Sequence, residues 1–154
     1  MAHLSLHSPI GDLTFFEHNK VLVAVEWGWG PNQSSSPFLE NVKKQVLSYF
    51  NGENKKLFIK TMVFENDLEN RVYKIMLDIP YGKTITYGEV AKLAKTGPRV
   101  VGRICGKNPI PVVIPCHRVM GANEKLTGYS GEGGLDTKVA LLTLEGVLEP
   151  KLPL

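Results

Sequence analysis

The sequence predicts an α/β (α+β) fold, with a small sheet-and-helix unit over residues 1–60 and a mainly helical unit over residues 61–154. Three observations predict it. Short β-branched and aromatic runs separated by turn signals occupy the stretch from His3 to Trp27. Apolar residues at helical spacing begin at Phe38 and return from Phe64. Between Thr86 and Lys107, two short helical patterns meet at Gly97-Pro98, the arrangement of a helix-turn-helix whose second helix is basic.

His3 to Leu6, Leu13 to Phe16 and Val21 to Trp27 read as three strands of a small antiparallel sheet, with Ser8-Pro9-Ile10-Gly11 as a turn. Gly28 to Pro37, rich in Gly, Ser, Pro and Asn, reads as a loop. Phe38, Val42, Val46 and Tyr49 then recur at helical spacing, and Asn51-Gly52 closes that helix. Nothing in this half reads as catalytic. From Phe64, the residues Leu68, Val72, Ile75, Met76 and Ile79 form one apolar stripe that Pro80-Tyr81-Gly82 terminates. Thr86-Tyr87-Gly88-Glu89 has the form of a capping box, and Val90, Ala91, Leu93 and Ala94 supply the buried face of the helix it starts. Pro98 suits the first turn of the next helix. There Val100, Val101 and Ile104 face inward, while Arg99, Arg103 and Lys107 recur at i, i+4 spacing outward. Asn108-Pro109-Ile110-Pro111 stops that helix. Val112-Val113-Ile114 reads as a buried strand or extended segment leading to Pro115-Cys116-His117-Arg118. Gly121 to Gly134 holds five glycines, a loop able to close over a ligand, and Leu135 to Leu144 reads as an amphipathic helix ending at Glu145-Gly146.

Composition narrows the function classes. A chain of 154 residues with 43% hydrophobic content can bury a core without staples. The two cysteines, Cys105 and Cys116, form no C-x-x-C pair, so neither a disulfide framework nor a structural zinc site is expected and both thiols should be free. No apolar run is long enough for a membrane helix, and Met1-Ala2-His3-Leu4-Ser5 lacks the start of a signal peptide, so a cytoplasmic protein is expected. The net charge is only +3, yet residues 83 to 107 carry Lys83, Lys92, Lys95, Arg99, Arg103 and Lys107 against the single acid Glu89. Such a patch is what a phosphate-facing surface needs, although a solvated helix face would have the same composition.

The candidate chemistry centres on Cys116. Thiolate is the nucleophilic form of cysteine, and a neighbouring base or positive charge raises its fraction. His117 is adjacent, but in extended backbone adjacent side chains point to opposite faces, so proton transfer would need a turn or a bridging water. Glu145, an acid at the end of an apolar helix, is placed to orient the imidazole as the third member of a Cys-His-Glu relay. A lone cysteine after an apolar run is commonly inert and buried, and Cys105, on the inward side of the basic helix, reads that way. Cys116 differs in its setting, between a helix pair of DNA-binding type and a glycine-rich loop.

These residues resemble the O6-alkylguanine-DNA alkyltransferases, also called methylated-DNA-protein-cysteine methyltransferases, whose motif is Pro-Cys-His-Arg-Val. Here it is Pro115-Cys116-His117-Arg118-Val119, preceded by Asn108-Pro109-Ile110-Pro111 and followed by Gly128-Tyr129-Ser130-Gly131 and Leu144-Glu145-Gly146. The resemblance runs over residues 64 to 147, and the first sixty residues are similar to that family's variable ribonuclease-H-like domain. It implies a winged-helix-like C-terminal domain and direct-reversal repair of double-stranded DNA carrying O6-alkylguanine, and O4-alkylthymine, by a monomer needing no cofactor or metal. It implies that the damaged base is flipped into a pocket and that its alkyl group passes irreversibly to Cys116, which is consumed once. His117, through a water and oriented by Glu145, would remove the thiol proton. Tyr87 would help rotate the nucleotide, Arg99 would fill the vacated stack, and Asn108 would hinge the recognition helix to the active-site segment. Tyr129, Ser130 and the backbone carbonyls of Cys116 and Val119 would line the base pocket, and Arg99, Arg103, Lys107 and Arg118 would face DNA. The resemblance places the second helix of the pair in the minor groove, where Val100, Arg103 and Lys107 are bulkier than that mode ordinarily admits.

Two rival classes share these features. One is a non-catalytic module that binds alkylated DNA, against which the presence of Cys116 argues. The other is a small-molecule cysteine hydrolase using Cys116, His117 and Glu145, which predicts turnover.

Overall fold

The computed structural model describes residues 1–126 and 134–150. It is a mixed α/β fold, as the sequence predicts. Strands β1 (Ala2–Leu6), β2 (Leu13–His18) and β3 (Val21–Trp27) form one antiparallel sheet in chain order. Leu4 pairs with Phe15 and Phe15 with Val25, so their side chains share one face, and all three are buried. Helix α1 (Pro37–Phe50) packs on this sheet through Leu39, Val42 and Val46. Ser36 caps it by accepting the Leu39 N–H, and Gly52, at φ +77°, takes the left-handed turn that ends it.

The exposed edge of β3 is covered from two directions. Leu22 bonds the chain at Lys60 and Met62 in a parallel bridge, with N···O distances of 2.9 and 3.0 Å. Farther along the same strand, the Val25 N–H donates to Pro109 O at 2.9 Å, which ties the sheet to the segment leading to Cys116.

Helix α2 (Asp67–Leu77) starts at an Asn66 cap and stops at Asp78, so Ile79 lies in the following turn, although it stays buried. Strand β4 (Ile85–Thr86) runs straight into α3 (Tyr87–Ala94), whose capping box is complete: the Glu89 N–H donates to Thr86 Oγ1, and the Thr86 N–H to Glu89 Oε1. Lys95, at φ 60°, ends α3, and α4 (Pro98–Gly106) follows as the second helix of the pair. Leu93 does not join the buried face. It lies about a third of a turn from the Val90-Ala91-Ala94 stripe and is 65% exposed.

Three further expectations change. Val112 to Ile114 is a turn, closed by the Ile114 N–H on Ile110 O at 2.9 Å, with Val112 at φ 73°. A β-branched residue in the left-handed region costs about 1–3 kcal/mol, so the surroundings must impose this path. Cys116–Arg118 is a 3-10 turn leading into β5 (Val119–Met120), which pairs in parallel with β4. Helix α5 (Leu135–Leu144) is not amphipathic in the expected sense. It buries Thr137 and Lys138 with Leu141 and Leu142, and leaves Leu135 46% exposed.

Among the described residues, no helix is long and apolar enough to cross a membrane.

Candidate active site

Asn108 links α4 to the cysteine. Its backbone N–H donates to Cys105 O at 3.2 Å, closing the end of the helix, while its side chain reaches the turn that carries Cys116. Nδ2 donates to Ile114 O at 2.9 Å and to Cys116 Sγ at 3.2 Å, and Oδ1 accepts the Ile110 N–H at 2.9 Å. The second of these bonds matters chemically, because an N–H aimed at sulfur favours its anionic, nucleophilic form. Cys116 itself is 3% exposed.

The 3-10 turn removes the geometric objection that extended backbone raised, since neighbouring side chains are no longer forced to opposite faces. His117 is completely buried, and its Nε2 lies 2.7 Å from Glu145 Oε2. Its Nδ1 has no hydrogen-bond partner among the described residues. Burial pushes the imidazole below its ordinary value; the bond and charge of Glu145 oppose this, and Arg118 and Lys138 add to it. The ring is therefore neutral at pH 7, with the proton on Nε2 facing the carboxylate and Nδ1 as acceptor.

Glu145 follows the last turn of α5. Burial alone would raise its carboxyl, but His117 and the Arg118 guanidinium outweigh that and hold it well below the usual carboxylate range. Arg118 Nε donates to Oε1 at 2.7 Å and Nη2 to Oε2 at 3.0 Å, while Nη1 donates to Ile79 O at 2.7 Å. Its side chain is only 11% exposed. The expectation that Arg118 faces DNA is thus corrected: its fork is committed to the buried carboxylate and a carbonyl. The Tyr49 hydroxyl also donates to Oε2, at 2.5 Å, from the N-terminal half that read as free of catalytic chemistry.

Lys138 is the other residue that sequence reading passed over. It lies within the helical pattern of α5, where a lysine ordinarily signals a solvated face, yet it is fully buried. Its Nζ donates to Val119 O at 2.6 Å and stands 5.7 Å from the Tyr87 ring centroid. Desolvation lowers its basicity, against the opposing charges of Cys116 and Cys105. Burial pushes the Cys105 thiol up, so it stays protonated.

The outer face of the helix pair gathers the remaining candidates. Tyr87 and Arg99 line one surface cavity of about 360 Å³ with Thr86, Pro98, Gly102 and Ala122. Lys83, Lys92, Lys95, Arg99, Arg103 and Lys107 are all exposed, and Lys107 also pairs with Glu69 at 3.1 Å. Tyr129 and Ser130 lie outside the described residues. Among the described residues, no three His, Cys, Asp or Glu side chains converge to hold a metal ion.

Two family models match the chain. The 6-O-methylguanine DNA methyltransferase ribonuclease-like domain covers residues 1–61, and the DNA binding domain of the same description covers residues 67–147. A protein of Mycobacterium tuberculosis named methylated-DNA-protein-cysteine methyltransferase is 38% identical over 153 residues, spanning 92% of this chain and 90% of its own. A Methanosarcina acetivorans protein of the same name is 36% identical over 159 residues, spanning 95% and 99%. The crystal structure of Mycobacterium tuberculosis OGT in complex with DNA superposes with a TM-score of 0.83 at 38% identity, covering 94% of this chain and 92% of that one.

Proposed function

The chain belongs to the 6-O-methylguanine DNA methyltransferase family, and from that premise we propose that Cys116 is the acceptor to which it transfers the alkyl group of O6-alkylguanine in duplex DNA. The protein is a DNA-repair alkyltransferase that reverses damage directly, with the activity of a methylated-DNA-protein-cysteine methyltransferase. The observation that carries the residue assignment is the fully buried His117, next to Cys116 in the chain, anchored through Nε2 by an ionised Glu145 and with Nδ1 unpartnered among the described residues.

In this reading a water bridges Cys116 to His117 Nδ1 and takes the thiol proton there, while Glu145 fixes the tautomer. The thiolate, held by Asn108, attacks the alkyl carbon in line. The S–C bond forms as the C–O6 bond breaks, and the guanine leaves with the electron pair and accepts a proton. Burying this step keeps competing water away from the alkyl carbon.

Delivery of the base falls to the outer face. Arg99 and Tyr87 share one cavity at the start of α4 and α3. Tyr87 turns the nucleotide out, Arg99 occupies its place, and Lys83, Lys92, Lys95 and Arg103 hold phosphates as the second helix lies in the minor groove. The carbonyls of Cys116 and Val119, with Tyr129 and Ser130, read the base, and Asn108 hinges α4 to the cysteine. The domains divide near residue 60, and the protein acts in the cytoplasm as a monomer.

The test is a titration of lesion-bearing duplex against a fixed amount of protein. Repaired lesions should plateau at one per chain, because the thioether is not released. Continued turnover would favour a hydrolase, and tight binding without repair a non-catalytic lesion binder.

A further inference from the structure

The N-terminal half reaches the relay through the Tyr49 hydroxyl. Tyr49 sits in the last turn of α1, ninety-six residues before Glu145, and is 1% exposed. Its ring meets Phe50 and Tyr81 edge-on, at centroid distances of 5.2 and 6.1 Å, contacts that a phenylalanine would also make. The hydroxyl is different. A buried O–H needs an acceptor, and this one uses Glu145 Oε2, the same oxygen that faces His117 Nε2. Burial and the Glu145 charge push the Tyr49 phenol up, so it stays a donor.

We propose that Tyr49 is a positioning residue for alkyl transfer, its hydroxyl fixing Glu145 Oε2 beneath His117 and so making the reactivity of Cys116 depend on the docking of α1. The proposal rests on the Cys116-His117-Glu145 relay. A second tie runs the same way: the Val25 N–H on Pro109 O fixes the other approach to the cysteine from the N-terminal sheet.

The bond has a chemical consequence that packing alone lacks. An O–H donor on Oε2 withdraws charge from the oxygen that holds the His117 N–H. Without it, Oε2 stabilises an imidazolium more strongly, and His117 stays protonated, unable to accept the thiol proton, to higher pH. The other groups acting on His117 and Glu145 are Arg118 on the adjoining turn, Lys138 on α5 and Tyr81 after α2. All of these remain in Tyr49→Phe.

The experiment is the rate of adduct formation on the full chain with the free base O6-benzylguanine, measured from acidic to neutral pH. Tyr49→Phe should move the acidic limb up by about half a unit to one unit, which slows the reaction about three- to tenfold on that limb and much less at neutral pH. Placing 2,3-difluorotyrosine at position 49, a stronger donor of similar shape, should move the limb the other way. Thr14→Val removes another buried hydroxyl, which bonds Ser5 Oγ at 2.7 Å and Gly28 O at 2.7 Å within the N-terminal sheet, and should lower stability without moving the limb. A limb that stays fixed in both Tyr49 variants while the native chain forms its adduct overturns the role of Tyr49 alone. Absence of any cysteine adduct on the native chain overturns the relay reading and this inference with it.

Discussion

Replacing Glu145 with alanine will abolish measurable alkyl transfer and lower the stability of the chain by about 3–5 kcal/mol. The magnitude follows from what is left behind. Three donors converge on that carboxylate, Tyr49, His117 and Arg118, and the His117 and Glu145 side chains are wholly shielded from water. Removing the anion strands the Arg118 guanidinium at 11% exposure, with Ile79 O as its remaining acceptor among the described residues. Against a total stability of about 5–15 kcal/mol, that loss is large enough to lower the denaturation midpoint markedly. Lys107→Ala is the contrast. It breaks the pair with Glu69, whose side chains are 62% and 23% exposed, and should cost no more than about 1 kcal/mol. Paired denaturant titrations of the two variants check the difference, and Glu145→Gln, which keeps the shape but not the charge, should fall between them.

Arg99→Ala should separate base extrusion from chemistry. Arg99 is exposed at the start of α4 and shares a cavity with Tyr87, some distance along the chain from the buried turn that holds Cys116. Extrusion costs a few kcal/mol in an intact duplex and nothing for a free base. If Arg99 offsets about 2–3 kcal/mol of that cost, its removal slows repair of a duplex lesion by about 30- to 150-fold. The reaction with free O6-benzylguanine should stay within about twofold of the native rate. Single-turnover rates on the two substrates provide the check, and equal losses on both would remove Arg99 from the extrusion step.

Much of the fold was legible because local signals agreed with tertiary packing. The Thr86-x-x-Glu89 box, the Pro98 helix start and the alternating strands from Leu4 to Val25 each specify an element on their own terms. Cys116, His117 and Glu145 were legible as a set only through the motif that joins them, since composition and period treat a lone thiol as core. What sequence reading missed depends on contacts between distant residues. Tyr49 fits the apolar stripe of α1 so well that its hydroxyl carries no signal, and only the fold brings Glu145 to it. Lys138 is hidden for the opposite reason, because charge on a helix ordinarily means water. Arg118 stands inside a basic motif, yet Glu145 and Ile79 O draw its fork inward. The Val112 turn was unreadable because its path opposes the local preference of a β-branched residue.

The central claim is that Cys116 is a single-use acceptor. Intact-mass measurement of the chain after incubation with duplex DNA bearing O6-methylguanine tests it most directly. The expected result is a gain of one methylene per chain, mapped to the peptide containing Cys116 and absent from Cys116→Ala. Disappearance of the lesion with an unchanged protein mass, or a gain mapped to Cys105, would contradict it.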